Sequence, residues 1–152
     1  MSQFVMLVGP AGSGKTTTAK NIRLQNPKII MLSSDSLREM INGDASDQSN
    51  PQLIFTIMRD AATTSLMMGL DVIYDATNLS SVRRKMLLKW LRSHVNNVTA
   101  TCIVHLTSLK ECIERQKQRE RKVPIEVIKR QYDTMQKPTK SEGWDEIINM
   151  GD

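Results

Sequence analysis

Short apolar runs alternate along the chain with longer segments in which apolar and polar residues recur at helical spacing. Runs of four to eight apolar residues have the length of buried strands, whereas apolar positions three and four apart indicate helices. Five strands are predicted on this basis, at residues 4–8, 28–32, 71–75, 98–106 and 144–150. Regular alternation of strands and helices predicts an α/β fold in three layers, with a five-stranded parallel sheet and helices on both faces.

Helix boundaries follow from residues that favour helix starts and ends. Pro51 suits the first position of a helix, and Gly69 suits the position just after its end. Ser108 with Glu111 three residues later forms a capping-box pattern. The predicted helices cover residues 16–24, 36–42, 51–68, 80 or 81 to 94, a segment following residue 108, and 124–135. Residues 44–50 are polar and are predicted to form a loop.

The composition fits one globular domain spanning residues 1–152, with 39% hydrophobic and 24% charged residues. No apolar run approaches the roughly 18 residues of a membrane span. The chain leads directly into its first strand, so we expect no signal peptide. Cys102 and Cys112 lack the spacing of zinc ligands or of a disulfide framework. We therefore expect a cytoplasmic protein without membrane partners.

The segment from Gly9 to Thr16 carries a glycine, four residues, then Gly-Lys-Thr, directly after the first predicted strand. In this context the pattern predicts a loop whose backbone N–H groups surround the phosphates of a nucleoside triphosphate. Lys15 reaches the β- and γ-phosphates, and the Thr16 hydroxyl is a candidate Mg²⁺ ligand. The candidate ATP-binding residues of this loop are Gly9, Ala11, Gly12, Ser13, Gly14, Lys15, Thr16 and Thr17.

Two further groups of polar residues follow predicted strands and therefore lie at the same edge of the sheet as this loop. Asp35 can accept a proton from an attacking hydroxyl, and Arg38, three residues later on one helix face, can bind a phosphate. Asp75 ends an apolar strand and is a candidate Mg²⁺ ligand. Thr77 and Asn78 are candidate substrate contacts. Aspartate, threonine and asparagine are also common in turns, so Asp75, Thr77 and Asn78 could instead simply form a turn.

A third group is basic and lies on a segment with almost no apolar side chain, residues 116–123, which we predict to be a lid. Its arginines and the preceding Arg115 are candidates to stabilise charge on a transferring phosphoryl group. Spacing alone does not distinguish Arg119 from Arg121 as the residue that does so.

The chain has a net charge of +5 and an isoelectric point near 9.4. Ten of its 21 lysines and arginines lie between Lys110 and Lys140, against five acids there. Such clusters can receive phosphates, or they can form ordinary exposed helix faces. Both interpretations stay open for a second basic group, which comprises Arg83, Arg84, Lys85, Lys89 and Arg92. His105 is expected to be a packing or surface residue, and Met58, Met67 and Met68 are candidates to line an acceptor cleft.

Taken together, these motifs resemble the 5′-kinase domain of the phage-type polynucleotide kinases, within the small phosphate-loop kinases. The resemblance covers nearly the whole chain. It rests on residues 9–17, on Ser-Ser-Asp-Ser-Leu-Arg at 33–38, on Thr-Asn-Leu at 77–79 followed by Arg-Arg at 83–84, and on residues 115–119 followed by Val-Pro-Ile at 123–125. The segment Glu-Gly-Trp-Asp-Glu-Ile at 142–147 also resembles the wider group.

The resemblance implies a role for each matching residue. Asp35 would be the general base on a 5′-hydroxyl, and Arg38 would contact the 3′-phosphate of the acceptor. Lys15 and Thr16 would serve ATP and Mg²⁺, and Arg119 would bridge donor phosphates. Two departures matter: Ala76 stands where the family has an aspartate, and the lid is one residue shorter before Pro124, which makes Arg121 a rival to Arg119.

The predicted activity is therefore Mg²⁺-assisted transfer of the γ-phosphoryl group of ATP to the 5′-hydroxyl end of DNA or RNA. A kinase of a nucleoside, metabolite or antibiotic is the nearest alternative, because it shares every feature except the demand for an acceptor phosphate at Arg38. A non-catalytic nucleotide-dependent binding module is the alternative from another class, and a plain ATPase is a further one. The few aromatic residues fall mostly at predicted core positions, which predicts little base preference. The sequence does not predict an oligomeric state.

Overall fold

The computed structural model describes residues 1–151, in which five strands form one parallel sheet. The strands are β1 (Ser2–Val8), β2 (Ile30–Ser33), β3 (Val72–Asp75), β4 (Val98–His105) and β5 (Glu146–Met150). Their order across the sheet is β2-β3-β1-β4-β5, and every neighbouring pair is parallel. The predicted α/β fold is confirmed, with strand ends displaced by one or two residues from the prediction.

Six α-helices connect or flank these strands: α1 (Lys15–Gln25), α2 (Ser34–Asn42), α3 (Pro51–Met67), α4 (Ser81–His94), α5 (Leu109–Lys117) and α6 (Ile125–Thr134). A 3₁₀ helix, Lys140–Glu142, was not predicted. Helix α2 begins two residues earlier than predicted because the Ser33 hydroxyl caps it, accepting a hydrogen bond from the Ser36 N–H at 3.3 Å. Within residues 1–151, no helix is both long enough and apolar enough to cross a membrane.

The core lies on both faces of the sheet. One face carries Phe4, Met6 and Val8 of β1, packed against α3 and α4. The other face carries Val5 and Leu7, packed against α1. Because successive strand residues point to opposite faces, β1 supplies both cores. This places the loop between β1 and α1 at the carboxyl end of the central strand, with α1 on one side of the sheet and α3 and α4 on the other.

A buried ion pair joins α4 to the 3₁₀ helix. Arg84 and Glu142 are each about 1% exposed at the side chain and share two hydrogen bonds of 2.9 Å. Arg84 also donates to the carbonyls of Asn78 and Gln136, both at 2.7 Å, and Glu142 accepts from Ser81 and Trp144. Both sequence interpretations of the second basic group are therefore wrong for Arg84, which neither receives phosphate nor lies on an exposed face.

The carboxyl ends of three strands meet in one row. Leu7 of β1 is paired with Asp75 of β3, and Asp75 is paired with Ser33 of β2. The phosphate loop begins two residues after Leu7, and Asp35 lies two residues after Ser33. The sheet topology therefore brings the loop, Asp75 and Asp35 to one edge.

Candidate active site

The phosphate loop is held by backbone geometry that only glycine adopts easily. Gly12 has φ 82° and Gly14 has φ 102°. A Cβ atom on Gly12 would also overlap the carbonyl oxygen of Cys112 in α5, so the loop packs directly against that helix. Both glycines were predicted from the motif, and the contact with α5 explains why Gly12 tolerates no side chain.

Two distant polar side chains hold the loop from outside. The Thr107 hydroxyl, just after β4, donates to the carbonyl of Ser13 at 2.8 Å. Gln131 of α6 accepts a hydrogen bond from the Ala11 N–H at 2.9 Å. Neither contact is visible in the sequence, because 94 residues separate Thr107 from Ser13, 120 separate Gln131 from Ala11, and no local pattern marks them.

Lys15 lies folded back over the loop. Its Nζ donates to the carbonyls of Gly9 and Pro10, both at 2.8 Å. Burial lowers the pKa of Lys15 to about 8, while attraction from Asp75 and Asp35 opposes the shift. The lysine is therefore a desolvated ammonium beside the loop, where an added phosphate would strengthen its positive charge.

Asp75 lies under the loop, on the side of the sheet that faces α1. It is 8% exposed, and Ala76 next to it belongs to the core on the other face. Burial raises the pKa of Asp75, and the charge of Lys15 opposes that effect. The displacement by one residue from the family pattern thus gives a carboxylate on the α1 side, the side of Thr16.

These residues fit a nucleotide with Mg²⁺. The carboxylate of Asp75 and the hydroxyl of Thr16 are hard oxygen donors, the type that Mg²⁺ prefers. The hydroxyl of Ser13 is buried and makes no hydrogen bond within residues 1–151. An anion-binding loop, a desolvated lysine and an unsatisfied hydroxyl together suit a polyphosphate ligand.

Asp35 lies between two arginines at the neighbouring strand end. Its Oδ1 accepts from Nη1 of Arg38 at 3.1 Å, which is the contact expected from their spacing of three. Its Oδ2 accepts from Nη2 of Arg121 at 2.7 Å. Arg38 also lies over the ring of Phe55, 5.8 Å from its centroid. The contact with Arg121 was not predicted.

The predicted lid connects α5 to α6, and its first residue is anchored. Gln116 is 3% exposed, and its Oε1 accepts from the Val123 N–H at 3.1 Å. Gln116, at the start of the predicted lid, is therefore buried, whereas residues 117–120 and 122 are exposed and Arg121 is half-buried. Arg115 pairs with Glu111 at 3.2 Å, and its Nη1 would lie 3.0 Å from a Cβ on Gly14.

Arg119 and Arg121 lie near different parts of the candidate site. Burial dominates the pKa values of Lys15 and Asp75, and the charge of Arg119 contributes to both, so its guanidinium lies within electrostatic reach of the phosphate loop. Arg121 instead contacts Asp35. The structure therefore gives the two arginines different surroundings, which their spacing in the sequence did not show. Their roles stay predictions.

Thr77 and Asn78 follow β3 and make hydrogen bonds that connect the end of β3 to the end of β1. The Thr77 carbonyl accepts from the Gly9 N–H at 3.0 Å. The Asn78 amide donates to the carbonyls of Leu7 and Ala76 at 2.7 and 3.2 Å. These contacts position the start of the phosphate loop. Substrate contact by either residue stays a prediction.

All three methionines proposed for an acceptor cleft lie elsewhere. Met58 is fully buried in the core. Met67 and Met68 lie at the end of α3, near the start of β3, and are therefore at the opposite edge of the sheet from Asp35. The sequence-based proposal for Met67 and Met68 is wrong because helical spacing does not show which end of a helix lies near the ligand.

A phosphate loop between β1 and α1 of a five-stranded parallel sheet with helices on both faces defines a P-loop kinase fold. The sequence model of AAA_33, described as an AAA domain, matches residues 4–139. The chain belongs to this family.

The solved structures that share this fold include an RNA kinase, a chain of an RNA repair complex and a gluconokinase. The chain is similar to a fungal RNA kinase, with a TM-score of 0.72 and 16% identity over 99% of this chain and 38% of that one. It is similar to a chain of the Pnkp1/Rnl/Hen1 RNA repair complex, with a TM-score of 0.73 and 21% identity over 88% of this chain and 44% of that one. A gluconokinase from Sinorhizobium meliloti 1021 gives a TM-score of 0.62 and 15% identity over 97% and 81%. The likeness shows the fold, and the chain spans less than half of each of the two RNA-related chains.

Proposed function

We propose that this protein transfers the γ-phosphoryl group of ATP, with Mg²⁺, to the 5′-hydroxyl of DNA or RNA. The observation that carries the proposal is the position of Asp35 and Arg38, paired at 3.1 Å beside the carboxyl end of β2, which only β3 separates from the strand that leads into the phosphate loop. This pair offers a proton acceptor and a phosphate-binding group on the acceptor side of one site.

The donor side rests on the phosphate loop. Lys15 and the loop N–H groups would bind the triphosphate, and Thr16 and Asp75 would hold the Mg²⁺, which supplies charge neutralisation at the phosphates. Arg119, within electrostatic reach of Lys15, would stabilise the transferring group. The resemblance to polynucleotide kinases and the fold shared with an RNA kinase both favour this assignment.

The reaction balances as a direct transfer. The acceptor hydroxyl oxygen forms a bond to the γ-phosphorus while its proton passes to a carboxylate oxygen of Asp35. The bond from the γ-phosphorus to the bridging oxygen breaks, and ADP leaves. A general base of this kind contributes roughly 10²–10⁴-fold to the rate.

Transfer of labelled γ-phosphate to a 5′-hydroxyl oligonucleotide, beside the same oligonucleotide already 5′-phosphorylated, tests the proposal. Label on the first alone is expected. Asp35→Ala should lose at least about 100-fold in kcat with ATP affinity retained. Asp133→Asn, at an exposed aspartate of α6, is the matched control and should retain activity.

A small-molecule kinase is the second candidate, and one observation favours it: exposed aromatic rings for base stacking are few. Tyr74 and Trp144 are 3% exposed, and Phe55 is partly buried beside Arg38. If the protein binds ATP but labels neither DNA nor RNA, the polynucleotide assignment is wrong and small alcohols become the acceptors to test. Undiminished partner binding without any turnover would instead indicate a binding module.

A further inference from the structure

One carboxylate in the site is bound by two guanidinium groups from different elements. Oδ1 of Asp35 accepts from Arg38 of α2, and Oδ2 accepts from Arg121 of the predicted lid. The second contact is the shorter, at 2.7 Å, and joins residues 86 positions apart. The oxygens of the proposed general base are therefore both engaged by cations.

The two arginines differ in how firmly they are held. Arg38 has a side chain 13% exposed, packs over Phe55 and lies 3.5 Å from the Ser34 hydroxyl. Arg121 has a side chain 37% exposed, and within residues 1–151 its guanidinium makes no other hydrogen bond. Arg121 is thus the partner that can leave Asp35 at the lower cost.

A phosphate group competes well for such an arginine. A phosphate monoester carries up to two negative charges and accepts two parallel N–H bonds from a guanidinium, whereas Asp35 offers Arg121 a single oxygen. A phosphate placed beside Asp35 would also lie near Arg38. An acceptor bearing such a group could therefore attract Arg121 away from the carboxylate.

We propose that Arg121 binds the phosphate of the acceptor, and that its transfer from Asp35 to this phosphate frees Oδ2 to accept the proton of the reacting hydroxyl. The inference rests on the proposed transfer to a 5′-hydroxyl. It makes Arg121 a specificity-determining residue, because an acceptor without a neighbouring phosphate leaves Asp35 engaged. Discrimination then shows in kcat as well as in KM.

The kinetic test compares two acceptors, a nucleoside 3′-monophosphate and the same nucleoside without phosphate. In Arg121→Gln, the ratio of their kcat/KM values should fall at least tenfold while KM for ATP changes less than twofold. Arg119→Gln should instead raise KM for ATP or lower kcat for both acceptors equally. Arg130→Gln, at an exposed position of α6, is the matched control. An unchanged ratio in Arg121→Gln, or a change confined to ATP, overturns the inference.

A binding measurement separates this inference from the proposed function. Nucleoside 3′-monophosphate is titrated into the protein saturated with ADP and Mg²⁺, for the wild type and for Arg121→Gln. A loss of affinity of at least fivefold in the variant supports the acceptor-phosphate contact even if no transfer to polynucleotides is found. Equal affinity, or no binding by the wild type, overturns it even if transfer occurs. A melting temperature of Arg121→Gln within one or two degrees of the wild type shows that the effect is local.

Discussion

The imidazole Nε2 of His105 lies 2.7 Å from the hydroxyl of Thr18, so the last residue of β4 is bonded to the first turn of α1. The same hydroxyl lies 3.2 Å from the carbonyl of Gly14 in the phosphate loop. His105 is 3% exposed and Thr18 is 8% exposed, so neither has ready access to water. The contact identifies His105 as a packing residue, one of the two expectations from the sequence, and adds a polar bond to the loop.

His105 should make the protein less stable in acid. Burial lowers its pKa to about 4, and the charge of Lys15 acts in the same direction, so the folded state favours the neutral ring. The unfolded chain binds a proton near pH 6.5, and stability is therefore lost as the pH falls from about 6.5 towards 4. Urea unfolding measures the free energy of unfolding at pH 7 and at pH 4.5. Between these pH values it should fall by about 2–3 kcal/mol more in the wild type than in His105→Gln. Equal falls would contradict the prediction.

Nucleotide binding should take up a proton in mildly alkaline solution. With the pKa of Lys15 lowered to about 8 by burial, most of the ammonium is deprotonated at pH 9, and added phosphates should restore its charge. Calorimetric titration with ADP and Mg²⁺ in buffers of different ionisation enthalpy should show close to one proton bound at pH 9. At pH 7 Lys15 is already charged, so nucleotide binding should take up almost no proton.

Lys20→Met is the control for this uptake, because Lys20 lies exposed on the same helix. It should retain the uptake, whereas Lys15→Arg, whose guanidinium stays charged, should abolish it. Absence of uptake by the wild type at pH 9 would show that Lys15 is not the desolvated group described above.

Gly12→Ala should damage both folding and nucleotide binding. The new methyl group would overlap the Cys112 carbonyl at a backbone φ of 82°. Gly43→Ala is a matched control, because Gly43 has φ 80° and nothing within 4 Å of its Cβ position. Both variants carry the roughly 1–2 kcal/mol cost of left-handed backbone, and Gly12→Ala should lose about 1–3 kcal/mol more through overlap. Urea unfolding and ADP titration measure the two effects, and equal losses would be inconsistent with packing of the loop on α5.

The Arg84–Glu142 pair should be far more important for stability than exposed pairs. Arg84→Met leaves the Glu142 carboxylate buried without its cation and should cost about 3–5 kcal/mol of unfolding free energy. Lys117→Met removes an exposed pair with Glu114 and should cost at most about 1 kcal/mol. The double variant Arg84→Met with Glu142→Gln should recover part of the loss. Denaturant titrations measure these values, and similar costs for Arg84→Met and Lys117→Met would be evidence against a structural role for Arg84.

Features encoded in contiguous residues were accessible from the sequence. The alternation of apolar runs was sufficient for the fold class, and the glycines and lysine of the phosphate loop are adjacent in the chain. The pairing of Asp35 with Arg38 follows from one turn of helix. The order of the strands was not accessible, because hydrophobic alternation identifies strands without identifying their neighbours.

Contacts between distant residues account for what the sequence did not show. Arg84 looked like its exposed neighbour Arg83, because its partner Glu142 is 58 residues away. The contact of Arg121 with Asp35 depends on the path of the lid segment and has no local signature. Half of the predicted capping box forms: Ser108 accepts from the Glu111 N–H, whereas the Glu111 side chain pairs with Arg115.

The change of side between Asp75 and Ala76 has a consequence for comparing this chain with its relatives. Along an extended strand, an acid can move by two residues and still face the same helix, but a move by one residue carries it through the sheet. An alignment that matches Ala76 to an acidic position in another protein would count a carboxylate as lost, although Asp75 supplies one in the structure. In three dimensions the carboxylate of Asp75 faces α1. When such strands are compared, it is therefore better to ask which side of the sheet an acidic residue faces than which column of an alignment it occupies.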